Sequence, residues 1–260
     1  LCAKAMVSDE SLGYGRIAYN SAVGGDGLRV GVAQTHLTYK LGSDFKVLDA
    51  SGTVDSTSAF ATYPIVRTRN ANLYVQGTAE TKSIKDDMQN ARFNNKTADV
   101  YGLGLNGDWR DNLGGGSVNT YGFNVSNGDL KGNLNIDANT GESSDSFNTK
   151  GNYTKTTYNA SRLQAITPFV SVYVGANGQF ASKNLDSSEK LILGGPNGVR
   201  AYGTGEAAGD EGYLATAELR YVVPGLRPFG SDGLQLTTFI DTGRVTLQQS
   251  PLAGSAKNTR

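Results

Sequence analysis

The sequence has almost none of the residues from which metal sites and disulfides are built. It holds one cysteine, Cys2, and one histidine, His36, in 260 residues. A single thiol closes no internal disulfide, and one imidazole without companions at ligand spacing makes no metal site, so His36 reads as a strand-surface histidine. An excess of charge of either sign is also missing: 24 Lys and Arg balance 24 Asp and Glu, with no long basic block. Nucleic acid is thereby excluded as the main partner, because phosphates need clustered cations. The longest nearly apolar stretch, about Phe169 to Ala176, falls far short of the roughly 20 residues that cross a bilayer as a helix. No GxxxxGK[ST] motif occurs, and the adjacent acids Asp86–Asp87 and Asp210–Glu211 read as solvated loop charge. Phosphate cradling and general acid–base catalysis are not expected, and no cofactor is implied; the chain does not read as an enzyme. The opening LCAKAMVSDESLG lacks the pattern of a signal peptide. With the closing SAKNTR, it reads as part of a longer chain.

Glycine is what the sequence has in plenty, at 34 residues, nearly twice the share of about 7% in average proteins. Period-two alternation accompanies it. In FVSVYVGANGQF, Val170, Val172, Val174 and Ala176 oppose Ser171, Tyr173, Asn177 and Gln179, which is a strand with one apolar face. NLYVQGTAE and GYLATAELRYVV repeat the pattern, the second setting Glu218 and Arg220 opposite Ala217 and Leu219. In LRVGVAQTHLTYK the apolar set shifts from Val30 and Val32 to Leu37 and Tyr39, which predicts a bulge.

Ten strands are expected, near 12–20, 28–40, 52–64, 71–84, 95–107, 116–127, 151–166, 168–181, 211–223 and 234–245. Short turns such as SAVGGDG and DNLGG alternate with longer polar stretches such as KDDMQNARF, NGDLKGNLNIDANTGESSD and about 183–211. Long alternating strands, a short-turn side and a long-loop side describe an all-β, transmembrane antiparallel β-barrel. Thirteen tyrosines suit the headgroup level of such a barrel.

Two segments stand out. The loop GGPNGVRAYGTGEAAGDEG is too rich in Gly and Pro for regular structure from Gly194 to about Gly209, yet carries Val199, Arg200 and Tyr202. The strand LTTFIDTGRV offers Leu234, Leu236 and Ile240 to lipid, which sends Phe239, Asp241 and Gly243 to the other face. A planar guanidinium matches a carboxylate with two parallel hydrogen bonds, so Arg200 and Asp241 are a natural pair. Its strength in a wet lumen is about 1 kcal/mol, which makes its value positional. The pair taken alone predicts that exchanging its two charges restores part of what either alanine variant loses.

These segments look like the two signatures of the two-partner secretion transporters, outer-membrane pores of the hemolysin-activator and filamentous-hemagglutinin-secretion type within the wider family of barrel-assembly proteins. LGYGRIAYNSAVGGDGLRVGVAQTHLTYKLG and ATYPIVRTRNANLYVQG also resemble that family's earlier barrel strands. The resemblance implies a partial barrel over 1–260, about ten of sixteen strands, with two periplasmic POTRA domains, a plug helix and terminal strands outside it. It implies that the loop over 182–211 folds into the lumen, with Val199, Arg200 and Tyr202 as its motif and Phe239, Asp241 and Gly243 as the wall motif. Ala201 stands where the family has glycine, at a cost of roughly 1 kcal/mol if the position needs positive φ and none otherwise. The implied function is secretion, and so activation, of a large TpsA-like partner exoprotein across the outer membrane of a Gram-negative bacterium, by a monomeric barrel seated in outer-membrane lipid. Barrel assembly or a passive porin is the alternative within the superfamily, and a soluble β adhesin is the alternative outside it.

Overall fold

The computed structural model describes residues 1–8, 12–40, 49–89, 91–226 and 233–250. Its strands are β1 (Cys2–Ser8), β2 (Leu12–Val23), β3 (Leu28–Lys40), β4 (Ala50–Arg67), β5 (Ala71–Met88), β6 (Ala91–Asp111), β7 (Ser117–Asn133), β8 (Gly151–Ala165), β9 (Val170–Ala181), β10 (Leu191–Ile192), β11 (Ala208–Gly209), β12 (Glu211–Val223) and β13 (Leu234–Thr246). Eleven of them form one sheet in the order β1-β2-β3-β4-β5-β6-β7-β8-β9-β12-β13, and β10 pairs with β11 apart from it. Strands of the large sheet lie side by side in chain order and antiparallel, with the segment that carries β10 and β11 inserted between β9 and β12.

The structure departs from the sequence expectation in three places. β1 adds an eleventh strand to the expected ten; CAKAMVS gives little polarity contrast, because Ala3, Ala5 and Val7 alternate with a mixed Cys2, Lys4 and Met6. KDDMQNARF is no long loop, since β5 runs to Met88 and β6 begins at Ala91. Both strands there carry polar residues on either face, which mimics a loop in sequence while the ladder continues. Asp86 accordingly lies in a strand, accepting from Tyr39 Oη at 2.7 Å and Asn94 Nδ2 at 2.7 Å. Finally, β2 and β3 pair without interruption from Val23↔Leu28 to Leu12↔Tyr39. The apolar shift in β3 is therefore no bulge; the strand leaves its apolar zone and becomes polar on the face that carried Val30 and Val32.

Contacts divide the chain into two compact units, one of Leu1–Tyr63, Gln76–Leu103 and Ser126–Thr154, the other of Pro64–Val75, Gly104–Val125 and Lys155–Arg260. In the first, Tyr19, Val32 and Ala59 share a row, as do Ser21, Val30 and Ala61. The opposite face carries Arg16, Thr35 and Ser56.

In the second unit, β9, β12 and β13 align in register. Val170, Tyr221 and Leu236 form one row, and Val174, Ala217 and Ile240 another; further along, Gly178 stands opposite both Tyr213 and Tyr158. Exposed Phe180 stacks on Tyr158 with ring centroids 5.6 Å apart. The other face of the same strands presents Tyr173, Gly175 and Asn177 beside Glu218, Thr216 and Leu214, and then Phe239, Asp241 and Gly243.

Several strand glycines lie under aromatic rings. Gly31 sits opposite Phe60, Gly52 opposite Tyr39 and Gly178 opposite Tyr158, and in each case a Cβ on the glycine would strike the ring. Gly107 lies likewise under Tyr121, and Gly128 under Tyr153. A ring folded over a strand glycine covers backbone that would otherwise lack a side-chain neighbour.

Candidate functional site

The chain between β9 and β12 is held at three levels. At its base, a 3₁₀ turn at Ser187–Glu189 is capped by Asp186, which accepts from Ser188 N at 3.1 Å. Glu189 is buried and gripped by Lys155, and Asp210, with 0% exposure, lies 2.7 Å from Lys190 Nζ. Gln179 Nε2 donates at 3.0 Å to both Glu189 O and Asp210 O. Asp210 Oδ2 also accepts from Gln249 N at 2.9 Å. The reading of Asp210 as solvated loop charge is thus corrected: an acid this deep persists because the Lys190 ammonium and the Gln249 amide partner its carboxylate.

At the middle level, β10 and β11 pair and hand over to an apolar cluster of Leu193, Val199 and Ala207 with Leu214 and Val245. Leu193 N donates to Ala207 O at 2.9 Å and Val199 N to Leu193 O at 2.7 Å, closing the loop on itself. Gly243 is the seat of this cluster, since a Cβ there would strike Leu193 Cδ1. Gly195, at φ +105°, takes a left-handed turn that side chains resist.

The tip presents Arg200. Its Nε donates to Asp241 Oδ2 at 2.8 Å and its Nη2 to Asp241 Oδ1 at 2.7 Å, the two-pronged grip that planar geometry favours. Its own backbone N donates to Asp241 Oδ2 at 3.1 Å. Nη1 reaches Glu218 Oε1 at 2.6 Å, and Nη2 donates to Thr216 Oγ1 at 2.9 Å. The guanidinium carbon lies 3.6 Å from the centroid of the Phe239 ring, within cation–π range. Arg220 completes the network through Glu218 Oε2, at 2.8 Å from Nε and 2.6 Å from Nη2. Two cations face two carboxylates, so the cluster is neutral as a whole. The Asp241 side chain is 4% exposed and that of Glu218 11%, so both carboxylates are largely withdrawn from water. The pair is therefore less wet than the sequence alone suggests, and removing one partner strands a nearly buried charge.

The structure brings together Arg200, Asp241 and Phe239, and seats Val199 over Gly243 through Leu193. Tyr202 does not join the charged network; it is 58% exposed and, with Leu193, Glu206 and Gly243, borders a cavity of about 350 Å³. Ala201 is not among the residues with positive φ, so its methyl meets no left-handed strain. Sequence reasoning missed Thr216 and Glu218 as partners of the loop. The signal was available for Glu218, because period-two alternation places it on the face opposite Ala217, where Asp241 also belongs. Nothing in the sequence pairs Lys190 with Asp210 or Lys155 with Glu189.

Three comparisons bear on this site. The family model of the haemolysin secretion/activation proteins ShlB/FhaC/HecB matches residues 19–259. The heme/hemopexin transporter protein HuxB of Haemophilus influenzae (strain 86-028NP) is 32% identical over 249 residues, covering 94% of this chain and 42% of its own length. The chain thus spans less than half of that curated relative. Among solved structures, CdiB from Escherichia coli superposes with a TM-score of 0.64 at 17% identity, over 96% of this chain and 54% of that one. BamA from Haemophilus ducreyi lacking POTRA domains 1-3 superposes with a TM-score of 0.58 at 12% identity, over 90% and 49%. At those identities the structures establish the β-barrel fold alone.

Proposed function

Because the chain belongs to the haemolysin secretion/activation protein family, we propose that it forms most of an outer-membrane pore that secretes a large partner exoprotein, by two-partner secretion, from a Gram-negative bacterium. The observation that carries the reading is the grip of Arg200 on Asp241, Glu218 and Thr216, which fastens one loop to the polar face of β12 and β13. In this reading that face lines the lumen and residues 182–211 are the lumen loop. Val199, Arg200 and Tyr202 form its motif, and Phe239, Asp241 and Gly243 the wall that receives it. A neutral cluster suits the role, since it fixes the loop without placing net charge in the path of a passing chain.

The opposite face meets lipid. From Val170 to Phe180 the outward side chains span ten residues, about 34 Å along the strand and about 26 Å at a tilt of 40°. That matches the roughly 25 Å apolar band of outer-membrane barrels. Tyr221 at one rim, with Tyr213, Tyr158 and Phe180 at the other, supply the aromatic girdles. The barrel acts as a monomer and binds no nucleic acid.

The test is export of the exoprotein encoded beside the full-length gene, comparing wild type with Arg200→Ala and Asp241→Ala. Both variants are expected to lower secretion by at least tenfold at wild-type barrel levels. Wild-type secretion by both sinks the loop-docking reading. Loss of many outer-membrane proteins rather than one exoprotein identifies barrel assembly instead.

A further inference from the structure

Charge at the loop tip is concentrated at Arg200, Glu218, Arg220 and Asp241, and the adjoining stretch of β7, β8 and β9 has a different chemistry. Gly122 lies between Asn106 and Asn159, whose Oδ1 atoms a Cβ on Gly122 would strike, so the three share one face. Asn159 stands opposite Asn177, and Ser161 opposite Gly175, which stands in turn opposite Thr216. Thr120 Oγ1 and Ser161 Oγ are 2.8 Å apart. This wall of asparagine, threonine, serine and glycine borders a cavity of about 320 Å³ whose other side is the loop tip, from Pro196 to Arg200.

We propose that this wall is a binding track for the main chain of an extended polypeptide, the chemical class of the substrate in transit; the proposal rests on the secretion reading above. Three features carry it. A primary amide both donates and accepts, so it can pair with the N–H or C=O of any residue and reads no sequence. Among the described residues, the side chains of Asn159 and Asn177 form no hydrogen bond with the protein, which leaves their amides available. The spacing also fits, because side chains on one face of a strand recur every two residues, about 6.8 Å, and an extended chain presents same-facing backbone groups at the same interval. Thr157, Asn159 and Ser161 along β8 are such a column. The lack of charge among Thr120, Asn159, Ser161 and Asn177 matters as much as the amides. A carboxylate or ammonium would hold oppositely charged segments and repel like ones, whereas net neutral hydrogen bonds of about 1 kcal/mol form and break as each residue passes.

The experiment uses the full-length protein with Cys2→Ser. Its probe is a single-cysteine passenger, made from the exoprotein encoded beside the gene and stalled in transit by a folded carboxy-terminal domain. Cysteines at Asn159 or Asn177 are expected to form disulfides with the passenger when its cysteine lies in the stretch held inside the pore, whatever residues flank it there. A cysteine at Ala160, on the opposite face, is expected to form none. Asn159→Ala with Asn177→Ala is expected to slow secretion about fivefold, while leaving heat-modifiable migration of the barrel unchanged. Asn159→Asp is expected to slow acidic passengers more than basic ones. Secretion by the wild type with no cross-link at either position, or at an unchanged rate in the double alanine variant, overturns the track and leaves the pore reading standing. Failure of the wild type to secrete overturns the pore reading itself, and the track with it.

Discussion

At the scale of single residues, the site depends on shape as much as charge. Arg200 touches four groups at once, and lysine, a point charge without the planar fork, could not keep Asp241, Glu218 and Thr216 together. Arg200→Lys is therefore expected to behave closer to Arg200→Ala than to wild type in secretion. Exchanging the charges of Arg200 and Asp241 is not expected to restore export, because the new acid at position 200 would face Glu218, now 2.6 Å from the guanidinium. The pair read from sequence predicts the opposite, and the difference lies entirely in that third residue. Gly243→Ala drives a methyl into Leu193, at about 1–3 kcal/mol. Leu193→Ala in the same chain is expected to recover part of the loss, measured as loop protection from protease in a double-mutant cycle. Arg200, Asp241 and Gly243 were legible because their types and order carry a family signature; Leu193, Thr216 and Glu218 join them only through folding.

At the scale of elements, the loop between β9 and β12 divides into a base fixed by buried ion pairs and a tip fixed by Arg200. Arg200→Ala is expected to open residues 194–205 to protease while 182–192 and 206–210 stay protected. Asp210→Ala strands Lys190 and is expected to cost about 3–5 kcal/mol, exposing the base as well; equal cleavage patterns in the two variants contradict the division. The loop between β7 and β8 is held differently, by Asp137 accepting from Asn139 N at 2.8 Å and Thr140 N at 2.9 Å. These backbone hydrogen bonds, chiefly that of Thr140, lower the Asp137 pKa from its ordinary value. A depressed acid contributes stability above its unfolded pKa and loses it as pH falls through the folded one. Amide protection at Asn139 and Thr140 is thus expected to be constant at neutral pH and to decline below about pH 4. Strand period and loop position were largely readable in sequence. The hairpin at Gln89 was not, because β5 and β6 continue where both faces are polar and alternation vanishes.

At the scale of the whole molecule, the proposed pore turns one face of the sheet to lipid and the other to a polar interior. Substituting Arg for Ala176, in the middle row with Ala160 and Ala215, places a charge at mid-depth, and for Val170 at the Tyr221 rim. The first is expected to cost about 2–4 kcal/mol and the second about 1 or less, measured by folding into bilayers; equal costs contradict the assigned depth. The sequence could announce the two faces, since polarity alternates, but it could not announce how neighbouring strands slide against each other. A slip by one residue turns each strand inside out and is excluded by hydrophobicity. A slip by two preserves both faces, and the rings over glycine resist it: it would set Tyr158 against Ala176 or Phe180 in place of Gly178, and Phe60 against Arg29 or Ala33 in place of Gly31. In a closed sheet the accumulated stagger fixes the diameter. The glycines under rings are thus notches of a gauge, each setting how far one strand stands along the next.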